Sequence, residues 1–241
     1  MKFSCISDIG LLREKNQDSY LAISNKYGDF LAIVADGIGG GKAGEVASGE
    51  VVKYFNEEFI ESGPFDSIDN VIDYLQYHLN KVNSLVYYMS ITDDNFTGMG
   101  TTITGVLITS VGVVSINCGD SRVYGFADNK IFKLTNDHTL VNQMIEKGQI
   151  TYEESLNHPK RHYLVKAIGI FDNVASDVHK VKDMDYYLVC SDGLHGYVSD
   201  DEITSIVTKN NLSIDEKVNE LKDIALLKGG YDNITVVLIE K

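Results

Sequence analysis

Four times along this 241-residue chain a run of apolar, mostly β-branched residues meets an aspartate that neighbours glycine or asparagine. Asp36 closes FLAIVA and opens a glycine-rich bend (Gly37, Gly39, Gly40, Gly41), Asp120 follows VVSINCG, and Asp192 follows YYLVCS. Asp232 follows Gly229-Gly230-Tyr231 and precedes NITVVLI. Short runs of Ile, Val, Leu and Phe bounded by glycine are the pattern of buried strands. A carboxylate at the end of such a strand stands at the edge of the core, where an unpaired ionised group is costly and demands a cation or a set of hydrogen bonds. A lone Asp-Gly is ordinary turn composition, but four at strand ends point to one shared site.

The remaining pattern constrains the fold. Phe3 to Ser7 and Ser19 to Ile23 read as strands, separated by a polar turn carrying Arg13, Asn16 and Asp18, and Phe30 to Ala35 is the central strand. From Ala43 the apolar residues step by four (Ala47, Val51, Phe55, Phe59), one face of a helix that Ser62-Gly63-Pro64 stops. Val71, Leu75, Leu79, Val82 and Val86 mark a second helix, and the short connection predicts an antiparallel pair. Strands are expected at Thr101 to Thr109, Val111 to Cys118, Arg122 to Ala127, Lys130 to Leu134, Ala175 to Val181, Tyr186 to Cys190 and Ile234 to Ile239. Helical patterns cover Asp200 to Thr208 and Ile214 to Leu227, and a short helix near Leu140 to Glu146 sits in a polar, mobile excursion over 137–169. Helices grouped in pairs rather than alternating with strands argue for α+β. Two packed antiparallel sheets, a β-sandwich flanked on each side by a pair of antiparallel helices (four-layer αββα), would bury every apolar face. One domain over 1–241 is expected.

Composition excludes some partners. With 35 acidic against 21 basic residues the net charge is −14, which repels nucleic-acid phosphates and anionic membranes. No run reaches the length of a membrane span, and MKFSCISDIG lacks the apolar segment of a secretory signal. Cys5, Cys118 and Cys190 lie in strand patterns as small core residues, which fits a reducing cytoplasm. The expectation is a cytoplasmic monomer.

The four aspartates offer only hard oxygen ligands, a donor set that favours Mg2+ or Mn2+ over zinc or copper. Converging carboxylates repel unless cations neutralise them, and two divalent ions would suffice. Paired metals activate water and clamp a phosphoryl oxygen. Arg13 adds a planar fork suited to phosphate, and the Gly37 carbonyl is open to a ligand because no side chain blocks it.

These segments, taken in order, resemble the metal-dependent protein phosphatases, the bacterial type 2C serine/threonine phosphatases. The matching stretches are SDIGLLREKNQDS at 7–19, VADGIGGGKAGEVAS at 34–48, MGTT at 99–102, NCGDSRVY at 117–124, LTNDHTLV at 134–141, LVCSDGL at 188–194 and GGYDNITVV at 229–237. The resemblance implies that Asp36 bridges two core Mn2+ or Mg2+ ions, that Asp192 and Asp232 complete one of them, and that the Gly37 carbonyl binds the other. It implies that Asp18 holds metal-bound water, that Asp120 with Asp192 forms a weaker third metal site, and that Arg13 grips the substrate phosphate. Segment 137–169 corresponds to the family's flap beside the active site. The implied reaction is hydrolysis of phosphoserine and phosphothreonine in proteins by direct attack of a hydroxide bridging the two metals, with a cognate serine/threonine kinase and its substrates as partners. There are departures. Ile38 stands where eukaryotic relatives carry a histidine thought to protonate the leaving group, which leaves that proton to metal-bound water. Ile38 and Gly41 also stand where bacterial relatives often have Met and His, and Gln17 replaces a glutamate found in many relatives.

Other readings fail on context. Gly39, Gly41 and Gly44 satisfy GxGxxG, but a second helix pattern follows the first and no acidic residue ends a second strand, as a dinucleotide fold requires. Lys42 precedes Ala43, which excludes a P-loop. No arginine stands at the offset a cysteine phosphatase needs after Cys118 or Cys190 (Tyr124 and Gly196 occupy it). His138, His158 and His162 are expected to be solvated or hydrogen-bonded, and His195 is near enough to Asp192 to be considered as a proton donor. A non-catalytic relative usually lacks a metal aspartate, and none is missing here.

Overall fold

The computed structural model describes residues 1–38 and 43–241; the glycine bend at Gly39, Gly40 and Gly41, with Lys42, lies outside the described residues. Two antiparallel sheets are formed. The first contains β1 (Lys2–Asp8), β7 (Arg122–Ala127), β8 (Lys130–Lys133), β10 (Tyr186–Cys190) and β11 (Ile234–Glu240), in the order β1-β11-β10-β7-β8. The second has β2 (Asp18–Ser24), β3 (Phe30–Ile38), β5 (Ile103–Thr109), β6 (Gly112–Cys118) and β9 (Asp177–Val181) in the order β2-β3-β5-β6-β9, and the two-residue β4 (Gly100–Thr101) joins β3.

Period-2 alternation sends each strand's side chains into different layers. In β3, Phe30, Ala32 and Val34 meet Val237, Ile239, Tyr187 and Val189 of the other sheet. Leu31, Ile33 and Ala35 point the other way, onto the helices α1 (Gly44–Ile60) and α2 (Ile68–Thr92). Ala47, Val51, Phe55 and Phe59 of α1 are fully buried there, the stripe read from the four-residue spacing. The opposite face of the first sheet packs Leu188, Cys190, Val236 and Leu238 against α6 (Asp200–Val207) and α7 (Ile214–Leu227). Three apolar layers therefore separate four layers of structure, the expected αββα sandwich. Both α6 and α7 start with capping boxes, Ser199 with Glu202 and Ser213 with Glu216, which satisfy the free N–H groups of the first turn.

Several boundaries differ from the sequence pattern, for physical reasons. β3 does not end at Ala35. Asp36 pairs with Asp18 and Gly37 with Thr101, so the carboxylate sits within the strand. The Thr101 to Thr109 run breaks at Thr102, whose N–H is taken by the Asp36 carbonyl at 2.8 Å. Cys5 is only half-buried because β1 is an edge strand. Segment 137–169 holds α3 (Leu140–Glu146) and a second short helix, α4 (Tyr152–Leu156), that periodicity over five residues did not disclose. The bridge Thr139–Leu164 closes the segment on itself, and the bridge Thr101–Ile168 ties it to the body.

Candidate active site

The shared site begins with strand register. Because β2 and β3 pair with Asp18 opposite Asp36, two carboxylates enter the same end of one sheet. The other sheet delivers Asp192 at the start of α5 (Asp192–His195), directly after β10, and Asp232 directly before β11. Asp120 lies between β6 and β7. Arg13, Asp36, Gly37, Asp120, Asp192 and Asp232 all line one cavity of about 550 Å3, with Gln17, Ile38, Thr102, His162, Tyr197 and Tyr231 among its other walls. Asp18 lies behind this lining, buried, its carboxylate accepting from Ser191 Oγ at 2.7 Å.

Glycine at 37 is a steric requirement. A Cβ there would fall 2.3 Å from the Gly44 carbonyl oxygen and 2.7 Å from that of Gln17. The first residue of α1 thus abuts β3, and the Gly37 N–H donates to the Gln17 carbonyl at 3.0 Å. The Asn233 amide clamps the β1–β2 connection from the opposite sheet. It donates to the Ile9 and Lys15 carbonyls at 2.8 and 2.9 Å and accepts from the Gln17 N–H at 2.8 Å. That clamp fixes the loop carrying Arg13, whose Nη2 donates to Asp232 at 2.7 Å. Thr102 accepts the Asp36 N–H at 3.0 Å and shares a hydrogen bond of 2.8 Å with Ser121. The sequence assigned no role to Thr102, Ser191 or Asn233; the available signal was that all three lie in the matching stretches 99–102, 188–194 and 229–237, Ser191 and Asn233 next to the aspartates.

The carboxylates crowd one another out of water. Burial, then the charges of Asp18, Asp192, Asp120 and Asp232, hold the Asp36 carboxyl well above the ordinary carboxylate range. Burial and then Asp192 push Asp120 up to about 8, while burial and Asp232 raise Asp192 to about 6. Asp18 rises to about 7 through burial, against the hydrogen bonds of Thr235 and Ser191. A neighbouring acid shows the opposite outcome. Burial also raises Asp137, but Arg122 donates to both its oxygens, at 3.0 and 2.6 Å, and brings it down to about 2. Buried acid with a cation is satisfied; among the described lining residues the cavity acids have Arg13 as their one lysine or arginine.

One histidine expectation holds and another changes. His138 takes the hydrogen-bonded of its two expected roles, in a buried position: its Nδ1 accepts the Gly119 N–H at 3.1 Å, which leaves Nε2–H facing Asp177 at 3.1 Å. His195 does not line the cavity; its Nε2–H donates to the Asp120 carbonyl at 3.0 Å, and burial followed by the Arg122 charge lowers it to about 3. It is a neutral strut for the Asp120 loop, without a proton to give. His162, by contrast, reaches the cavity from segment 137–169.

Whether this site suits divalent ions is a question for its donors. Among the described residues no group of three or more His, Cys, Asp or Glu side chains is closed around one point as a finished cage. The donor chemistry nevertheless fits a hard cation. Asp18 Oδ1 and Asp192 Oδ1 are buried oxygens with no hydrogen-bond partner, and every carboxylate whose pKa is raised here gains by a neighbouring positive charge.

Known proteins resemble this chain over nearly its whole length. The family profile described as protein phosphatase 2C matches residues 13–224. The serine/threonine phosphatase stp of Listeria welshimeri is 34% identical over 237 residues, covering 98% of this chain and 94% of that one. Protein phosphatase PhpP of Streptococcus pneumoniae serotype 2 is 33% identical over 241 residues, covering 99% and 97%. The crystal structure of serine/threonine phosphatase Stp1 from Staphylococcus aureus superposes with a TM-score of 0.94 at 32% identity, over 100% of this chain and 94% of that one.

Proposed function

The chain belongs to the protein phosphatase 2C family, and from that premise we propose that its acidic cavity hydrolyses phosphoserine and phosphothreonine in proteins with Mn2+ or Mg2+ bound. The observation that carries this reading is that Asp36, Asp120, Asp192 and Asp232 share one cavity with a single arginine, Arg13. The residues that would hold two core ions are Asp36, Asp192, Asp232 and the Gly37 carbonyl, with Asp18 behind them and Asp120 serving with Asp192 a weaker third position. When bound, such cations supply water of lowered pKa and positive charge against the phosphoryl oxygens.

The chain's own residues do the rest. Arg13 uses one amino group on Asp232 and keeps further N–H donors of its planar fork for the phosphate oxygens. Ser191 and Asn233 hold Asp18 and the Arg13 loop in position. Water oxygen bonds to phosphorus as the ester P–O bond breaks, and the departing serine or threonine oxygen takes up a proton. No protein nucleophile intervenes. Burial raises the Cys118 thiol to about 12 and pushes the Cys190 thiol well above its ordinary value, so neither is a thiolate at neutral pH. Segment 137–169, which brings His162 to the cavity, is the flap in this reading. Acting as a monomer in the cytoplasm opposite a cognate serine/threonine kinase completes the proposal. Among the described residues no helix is long and apolar enough to cross a membrane.

The test is hydrolysis of phosphothreonine peptides with Mn2+ present and after chelation. Turnover that chelator abolishes and Mn2+ restores, with no phosphorylated enzyme trapped, is expected. A trapped phosphoenzyme, or undiminished turnover in chelator, would overturn the mechanism.

A further inference from the structure

The cavity has a polar floor and an apolar rim. Tyr197 and Tyr231 line it together with Arg13 and Asp232. Their rings lie 5.2 Å apart and tilted by 34°, within the range of favourable aromatic pairing. Tyr231 is 50% exposed, and Leu11 and Leu12, immediately before Arg13, are each 65% exposed. The two loops meet: the Leu11 N–H donates to the Gly230 carbonyl at 2.8 Å, and a Cβ at Gly230 would fall 2.9 Å from Leu11 Cγ, which seats the Leu11 side chain against the residue before Tyr231. The Tyr231 ring is also held in place. It lies against the backbone of Gly229, where a Cβ would fall 2.2 Å from Tyr231 Cε2, and Gly229 adopts φ +126. Exposed apolar side chains scattered singly need no explanation, but several at the mouth of a functional cavity mark a contact surface. Rigid aromatic rings make such contacts at low entropic cost.

We propose that this rim of Leu11, Leu12, Tyr197 and Tyr231 selects phosphoprotein segments carrying an apolar side chain next to the phosphorylated residue. The proposal rests on the phosphatase reading and adds the substrate class. Successive Cα atoms are only about 3.8 Å apart, so a segment with its phosphate at Arg13 must pass its flanking side chain over the residues beside Arg13 and Asp232. Leu12 and Tyr231 are among them. Residues 9–12 and 229–231 (IGLL and GGY) contain no carboxylate, and Asp232 beside them is already paired with Arg13 at 2.7 Å, so the apolar rim itself offers a basic flank no free counter-ion. An acidic flank meets a cavity already rich in aspartate and a chain of net charge −14.

The experiment compares kcat/KM, with Mn2+, for phosphothreonine peptides bearing Leu or Phe, Gly, Lys or Asp on either side of the phosphoresidue. For the unaltered protein the Leu or Phe peptides should exceed the Gly peptide by roughly five- to tenfold, the scale of partial burial of one apolar side chain. Tyr231→Ser and, independently, the surface change Leu12→Ser should each cut that ratio to within about twofold, while Tyr231→Phe keeps it. Each ratio is internal to one variant, so a general loss of active protein does not imitate the effect. Equal kcat/KM across all flanks, or preference for Lys, would overturn the inference while leaving the phosphatase intact. Failure to hydrolyse any peptide, Gly included, would sink the phosphatase reading and this inference with it.

Discussion

The strands β7, β10 and β11 present acidic residues at both of their ends, and the two ends behave differently. At one end Asp185, Tyr186, Glu240 and Lys241 line a cavity of about 300 Å3. Lysines surround it: Glu240 faces Lys2 at 3.7 Å, Lys217 Nζ donates to the Tyr186 hydroxyl at 3.2 Å, and the lining Lys241 pairs with Asp183 outside the cavity. At the other end Asp36, Asp120, Asp192 and Asp232 share a cavity of about 550 Å3 in which, among the described residues, Arg13 is the one lysine or arginine. More than acid content, what separates the two is burial without compensating charge among the described residues, which raises the Asp36, Asp120 and Asp192 carboxyls and makes that end a place where cations are needed.

The strongest way to break this contrast is to remove one charge at each end. Asp232→Asn should lower kcat/KM with Mn2+ at least about a hundredfold, the scale on which a group stabilising transition-state charge acts, whereas Glu240→Gln should stay within about twofold. Wild-type activity in Asp232→Asn would refute the site. A smaller effect is expected at Arg13. Arg13→Ala should raise KM by about tenfold and lower kcat less, because the guanidinium binds the phosphate in ground and transition states alike; a large fall in kcat at unchanged KM would assign it to the transition state instead.

The smallest effect concerns stability of chelator-treated protein. The folded pKa values of Asp18 and Asp120, about 7 and about 8, lie above those of unfolded aspartate. The native state therefore holds protons that the unfolded state has released, and the stability of these neutral forms is lost as pH rises through 7 to 8. His78, His138, His162 and His195, all lowered chiefly by burial, act in the opposite sense, but only where unfolded histidine takes up protons, below about pH 7. Between pH 7 and 9 the Tm should fall by roughly 5 °C without metal, and Mn2+ should remove most of that slope. A Tm independent of pH and of Mn2+ would show that the carboxylates are not coupled.

Much of this was legible before any coordinates. The spans Leu140–Glu146, Tyr186–Cys190 and Ile214–Leu227 coincide with observed elements, because each is a locally determined pattern bounded by caps or turns. The strand end at Ala35 was misread since pairing of Asp36 with Asp18 is a cross-strand matter. Likewise the sequence placed His138 in a polar stretch, and only the return of Val165 and Asp177 onto it explains its burial. Tyr231 stood in plain view beside Asp232, yet its meeting with Tyr197 is a contact between residues far apart in the chain.

Sequence alone determined the alternation of strand residues, the helical stripes and the identity of the hard-oxygen donors, because periods of two and near four and the ligand preferences of carboxylates are properties of local chemistry. Tertiary structure alone decided that the ends of separate sheets meet. Asn233 spans from one sheet to the loop entering the other, and nothing short-range dictates which amide will clasp which carbonyl. The same long-range packing decided that acids at one end find lysines and those at the other find one another. Hence the donors could be named from the residue order, while their shared need for a cation emerged only from their burial together.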